Sequence, residues 1–169
     1  MAAIVISDAS PLIGLAQVNG IDWLRELFGT VLLPATVADE VLTGRFTDQE
    51  ARITAAVEAG WLTITPDPQQ GPALPDLDEG EAAGIRLALS RPGPVLLLID
   101  ERAGRAVAHE LGLKVAGTAA VIGLARLRGL IPSARAVFDA LHNSDFRIAP
   151  AVITTVLKRC GEIDDDSVS

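Results

Sequence analysis

Four acidic residues, Asp8, Glu40, Glu81 and Asp100, stand at positions from which they could act together. Carboxylates gathered in one crevice repel one another, and the repulsion raises their pKa values until a hard cation relieves it. Oxygen-only ligation suits Mg²⁺ or Mn²⁺, which commonly sit between carboxylates and a substrate phosphate. Such an ion can polarise a phosphodiester and acidify a water for attack. Sulfur and imidazole offer no rival site, because Cys160, His109 and His142 form no set with zinc spacing. Both histidines read as surface residues without chemistry.

Each acid also has a structural reading. Asp100 could cap a helix beginning at Glu101. Asp8 has less to do, because Ser10 followed by Pro11 already makes an N-cap and N1 pair for its helix. Glu40 lies about 60° around its helix from Val37, on the inner side, whereas Asp39 falls about 160° away. It is either a site carboxylate or a side chain snorkelling outward from the boundary. Asp78-x-x-Glu81 has the spacing of a capping box, yet Glu81, Ile85, Ala88 and Leu89 share the inward face of one helix. Both readings of Glu81 stay open.

The elements that must position these groups follow from the hydrophobic pattern. Short apolar runs at Ala3 to Ser7, Val31 to Leu33, Leu62 to Thr65, Val95 to Ile99 and Lys114 to Ala116 predict five strands. Helical spacing fills the gaps: Pro11 to Val18, Ile21 to Leu27, Pro34 to Leu42, Asp48 to Ala59, Glu79 to Ser90 and Glu101 to Leu111. After the last strand the pattern is helical only, at Ala119 to Gly129, Ser133 to Asn143 and Pro150 to Cys160. Strands such as Val95 to Ile99 are apolar throughout, so helices should cover both faces of a parallel sheet. The expected fold is a three-layer α/β/α sandwich with a central parallel sheet of about five strands and a helical C-terminus. Asp8 and Asp100 then follow two strands at the carboxyl edge, where ligands bind in open parallel sheets. Pro66 to Asp78, with four prolines and two glutamines, reads as a long loop.

The chain has 169 residues, 49% of them hydrophobic, which suits one domain. We expect that domain to span 1–161, followed by an acidic, disordered tail at 162–169. The longest uncharged stretch, Ala9 to Ile21, is too short to span a bilayer, and the expected location is cytoplasmic. A net charge of −8 argues against nucleic acid at first sight. Setting aside Glu162, Asp164, Asp165 and Asp166 leaves −4, and setting aside the four candidate acids leaves a neutral body. The acidity is thus read as local to a tail and a pocket.

IVISDASPLIGLAQ, VLLPATVADEVL, DEGEAAGIRLAL and LLLIDERAGRAVAHELGLKVAGT occur in an order and spacing that resemble PIN-domain proteins. The likeness runs from the first strand to the last helix. It is nearest to an uncharacterised PIN-like branch, neighbour to the VapC-type toxins of toxin-antitoxin pairs. The resemblance implies that Asp8, Glu40, Glu81 and Asp100 are the family's four acids. It also matches Ser10 to a hydroxyl supporting the first acid and Thr118 to a hydroxyl near the site, although a helix N-cap explains each equally well. Glu101 is a candidate fifth acid. Many toxin relatives carry Asp where Glu81 stands, and many have Thr or Ser shortly before the fourth acid, where this chain has Leu98 and Ile99.

The function so implied is Mg²⁺- or Mn²⁺-dependent hydrolysis of RNA, leaving a 3′-hydroxyl and a 5′-phosphate. Asp8, Glu81 and Asp100 would hold metal, with Glu40 a further ligand or the group that orients water. Arg45, Arg102 and Arg105 are candidates for backbone contacts, against a reading as solvated surface charge. The implied partners are RNA, a small antitoxin protein covering the acidic cleft, and a second copy in a homodimer. The alternative is a PIN fold kept as a nucleic-acid-binding or scaffold module without nuclease activity. A phosphoacceptor receiver domain fits poorly, since Asp8 stands alone after the first strand and Lys114 lies at the start of the last.

Overall fold

The computed structural model describes residues 3–45 and 47–164. Five strands, β1 (Ile4–Ser7), β2 (Val31–Pro34), β3 (Leu62–Thr65), β4 (Val95–Leu98) and β5 (Lys114–Ala116), form one sheet in the order β3-β2-β1-β4-β5. Every neighbouring pair is parallel. The helices are α1 (Ala9–Gln17), α2 (Ile21–Phe28), α3 (Ala35–Val41), α4 (Asp48–Glu58), α5 (Glu79–Ser90), α6 (Arg102–Glu110), α7 (Thr118–Leu127), α8 (Ala134–His142) and α9 (Pro150–Arg159). The architecture is the expected α/β/α sandwich with a helical C-terminus.

Strand alternation sorts the core into two layers. Val5 and Leu98 face one layer, with Leu12, Leu24, Ile53 and Val121 from α1, α2, α4 and α7. Ile6 and Leu97 face the other, with Ile85 and Leu87 of α5 and Ala108 of α6. Ile6, Leu97 and Leu98 are fully buried, each contributing roughly 1.5–3 kcal/mol through the apolar surface removed from water. On the outer side α8 and α9 rest on α7, burying Phe138, Leu141 and Leu157. Helix α3 bridges the layers at the carboxyl edge, packing against both α1 and α5.

Some local expectations need correction. Helix α1 begins at Ala9 with Asp8 at its N-cap position, so Ser10 lies inside the first turn and does not cap it. Leu89 is exposed, placed beyond the edge of the inward stripe that Glu81, Ile85 and Ala88 follow. His142 is half-buried, with Nε2 enclosed and without a hydrogen-bond partner; only His109 is exposed.

Glu162 is no part of a free tail. Its carboxylate accepts from the Ser133 hydroxyl and from the backbone N–H groups of Ala134 and Arg135, and it faces Arg126 Nε at 3.5 Å. The start of α8 leaves unsatisfied amides there, and they capture the acid. The remaining tail positions 165–169 lie outside the described residues. Among the described residues no helix is long and apolar enough to cross a membrane.

Candidate active site

The strand order reverses between β1 and β4, and the crevice at such a switch point is where open parallel sheets place their ligands. Asp8 leaves β1 at this point. Its backbone N–H donates to the Leu98 carbonyl at 2.9 Å, extending the ladder by one residue. Asp8 is 5% exposed and, although at the N-cap position, makes no capping hydrogen bond. Burial pushes its carboxyl up to about 6, and the charges of Asp78, Glu40 and Asp100 push the same way against the Ala9 N–H. Asp8 therefore shares its surroundings with two of the other sequence-identified acids and with Asp78.

Asp100 follows β4. It does not cap α6, whose N-cap position is Glu101 without a side-chain cap bond. Instead its carboxylate reaches across to α7: Oδ1 accepts from the Thr118 backbone N–H at 2.7 Å and Oδ2 from the Thr118 hydroxyl at 2.8 Å. Thr118 is the first residue of its helix rather than its N-cap, and it is fully buried. A buried hydroxyl and amide directed at one carboxylate fix that carboxylate's orientation. Thr118 thus stands beside the site as expected, by an arrangement that local spacing does not reveal. Ser10, half-buried, makes no hydrogen bond through its side chain among the described residues.

Glu81 is both a helix-start residue and a crevice residue. The Asp78 carboxylate accepts its backbone N–H at 2.8 Å, so the first half of the capping box forms. The Glu81 side chain, however, turns inward: the residue is 6% exposed. Burial pushes its carboxyl up to about 7, with further upward pushes from the charge and hydrogen bond of Asp78 and the charges of Asp8 and Glu101. Glu101 is accordingly within electrostatic reach of the cluster, though it is itself exposed.

Glu40 is the open member. It is exposed on α3, and its carboxyl is raised by partial burial and by the charges of Asp78 and Glu79. Its inward placement on the helix is therefore a position on the crevice rim, not in the core. Helix α3 is held there by Asp67, whose carboxylate accepts the Thr36 hydroxyl and backbone N–H. The loop from Pro66 to Asp78 thus fastens α3 at one end and caps α5 at the other.

Three glycines leave room around these carboxylates. A Cβ on Gly80 would collide with Glu40 Oε1, one on Gly104 would stand 3.1 Å from Glu81 Oε2, and one on Gly117 would stand 2.8 Å from Asp100 Oδ1. Asp78, the Asp67–Thr36 clasp and these glycines are the parts that sequence reading missed. Asp78 carried a signal, since a side chain that caps Glu81 necessarily lies near it; the clasp and the glycine approaches carried none, being long-range contacts.

The donor set fits a hard divalent cation. It offers oxygen alone, its two most buried carboxylates make no ion pair among the described residues, and both are shifted toward neutrality. No group of three or more His, Cys, Asp or Glu among the described residues already stands in a ligating arrangement, so binding would draw these side chains together. Arg105, half-buried on α6, lies beside the cluster, whereas Arg45 and Arg102 are exposed.

A family model described as a PIN domain matches residues 4–162, nearly the whole chain. No curated protein matches it.

Proposed function

The chain belongs to the PIN-domain family, a nuclease-type fold, and from that premise we propose that it is a Mg²⁺- or Mn²⁺-dependent ribonuclease hydrolysing RNA phosphodiester bonds. The observation that carries the reading is the pair of buried acids, Asp8 and Glu81, at the sheet's switch point with no basic partner among the described residues to neutralise them. Burying ionised carboxylates without compensation is costly, and a fold that keeps them there calls for a cation.

Asp8, Glu81 and Asp100 would hold the ion. When bound, a divalent cation supplies positive charge to a phosphodiester oxygen and lowers the pKa of water. Thr118 keeps the Asp100 carboxylate from rotating, so that this ligand is preorganised. Glu40, on the open rim, is placed to accept a hydrogen bond from an incoming water and to orient it. Its raised pKa makes it a better proton acceptor than an ordinary exposed glutamate. By family resemblance the products carry a 3′-hydroxyl and a 5′-phosphate. The same resemblance extends the proposal to the toxin component of a type II pair: a cytoplasmic homodimer whose acidic cleft a small antitoxin protein covers.

The test is cleavage of single-stranded RNA by wild type, Asp8→Asn and Asp100→Asn with Mg²⁺ or Mn²⁺, alongside melting curves with and without Mn²⁺. Cleavage and a Mn²⁺-dependent rise in Tm by wild type, both lost in the two variants, support the reading. Equal cleavage by all three, or a wild-type melt indifferent to millimolar Mn²⁺, overturns it. Co-expression with an adjacent gene for a small DNA-binding protein tests the toxin extension: relief of growth arrest supports it.

A further inference from the structure

Arg105 reaches from α6 to the Asp100 end of the site. A Cβ on Gly117 would stand 2.8 Å from Arg105 Nη1 and equally 2.8 Å from Asp100 Oδ1. A guanidinium and a carboxylate therefore converge on the same point above one glycine, yet they form no ion pair; among the described residues the ion pair found is Arg126 with Glu162. Both Asp100 oxygens instead accept from Thr118, each with a lone pair left for an ion. Arg105 is steadied by a hydrogen bond from Nη1 to the Ile99 carbonyl at 3.4 Å, and its other guanidinium N–H groups have no partner among the described residues.

A half-buried guanidinium beside a carboxylate cluster, held out of any ion pair with it among the described residues, is free to receive an anion. The planar guanidinium matches two oxygens of a phosphate. The neighbouring acids would repel a polyanionic substrate, so a fixed positive charge at the crevice's edge has a clear use. Resting on the ribonuclease reading above, we propose that Arg105 binds non-bridging oxygens of a substrate phosphodiester, its guanidinium brought beside Asp100 because Gly117 has no Cβ to exclude it. Helix α6 would thus serve the site twice, with Gly104 making room for Glu81 and Arg105 receiving the backbone of the RNA. A solvated surface arginine, the other reading of this residue, would be neither half-buried nor directed at the site.

The experiment compares Asp8→Asn with Asp8→Asn/Arg105→Gln and Asp8→Asn/Arg105→Lys for binding of a fluorescent single-stranded RNA oligonucleotide over a salt series. Loss of one phosphate contact should weaken binding about tenfold at low salt and reduce the slope of log K against log salt by about 0.7. Arg105→Lys should restore the slope while recovering only part of the affinity, because an ammonium keeps the charge and loses the fork. Gly117→Ala, whose methyl displaces the guanidinium and leaves its charge, should weaken binding without lowering the slope. In the otherwise wild-type chain, Arg105→Gln should leave the Mn²⁺-dependent rise in Tm unchanged. RNA binding by Asp8→Asn/Arg105→Gln with the parent's affinity and slope overturns the inference while leaving the nuclease reading intact. Loss of both RNA cleavage and the Mn²⁺ response in the wild-type chain overturns the reading, and the inference with it.

Discussion

The buried acids make a prediction that runs against the usual expectation for a buried position: Asp8→Asn should stabilise the metal-free protein. Asp8 is 5% exposed and its carboxyl rises from 3.8 to about 6, with burial the main cause. That difference corresponds to roughly 3 kcal/mol held against the fold once the group is ionised. The sign follows from proton uptake. Between these two pH values the folded chain retains a proton that the unfolded chain has released, so stability falls as pH rises through the interval and stays low above it. Asparagine keeps the shape and removes the charge. At pH 8 in EDTA, the variant should melt above wild type by several degrees, given about 2–4 °C per kcal/mol for a chain of this size. The gain should shrink to less than about 1 kcal/mol near pH 4, where folded Asp8 is protonated and unfolded Asp8, at 3.8, is partly so. Mn²⁺ should close the gap and then reverse it, because a ligand at about a thousand times its Kd adds about 4.1 kcal/mol to a protein that binds it and asparagine is a poor ligand. The assay is a set of melting curves at pH 4 and pH 8, in EDTA and in Mn²⁺. An Asp8→Asn variant that melts below wild type at pH 8 in EDTA, or a difference that ignores pH, would refute the claim that this charge is buried uncompensated.

Thr118→Val removes the hydroxyl bond to Asp100 Oδ2 and leaves the backbone bond to Oδ1; it should cost about 1–3 kcal/mol in urea unfolding and weaken the Mn²⁺ response, and Thr118→Ser should restore both. Gly80→Ala should separate stability from activity: an alanine suits the helix by up to about 1 kcal/mol, while its methyl displaces the flexible Glu40 carboxylate. Its Tm should hold or rise while RNA cleavage falls, and undiminished cleavage would remove Glu40 from the mechanism. Glu162→Gln should cost about 1–3 kcal/mol. Burial alone would raise the Glu162 carboxyl, but the amides of Ala134 and Arg135, the Ser133 hydroxyl and Arg126 hold it below 4.5. Its contribution is therefore present above 4.5 and lost as pH falls through the lowered value, so wild type and variant should converge in acid-unfolding curves.

The fold was legible because its signals are local. Apolar runs of β-rich residues end at Ser7, Leu98 and Ala116, and the spacing between them is helical, which leaves little besides a covered parallel sheet. Asp8 and Asp100 were legible for the same reason, since an acid directly after a strand lies at the carboxyl edge wherever the strand falls in the sheet. What Asp100 bonds to was not, because Thr118 lies beyond the helix α6 and strand β5 that separate β4 from α7. Ser10-Pro11 misled by its chemistry: it has the composition of a helix start, but the chain turns helical directly after Asp8, two residues too early for Ser10 to cap. Glu162 misled by its company, since an acid followed by three aspartates reads as tail until α8 supplies three donors to hold it.

These carboxylates divide by what they face, and the division separates acids whose charge the fold itself satisfies from acids it leaves wanting a cation. Glu162, Asp67 and Asp100 meet backbone amides and hydroxyls, which satisfy the charged form. Asp8 and Glu81 are buried and meet other acids, and nothing among the described residues offers them a cation. Asp78 stands between the groups: it caps Glu81 through the backbone and adds its charge to Asp8, Glu40 and Glu81. A residue placed so cannot be exchanged for another cap at no cost to the site. Asp78→Asn can still accept the Glu81 N–H, and so keeps α5 while removing a charge from the crevice. Asp78→Ser also caps but shortens the reach. If the site depends on the charge of Asp78, both variants should fold with wild-type helicity and bind Mn²⁺ more weakly. If Asp78 is only a cap, both should bind it as wild type does.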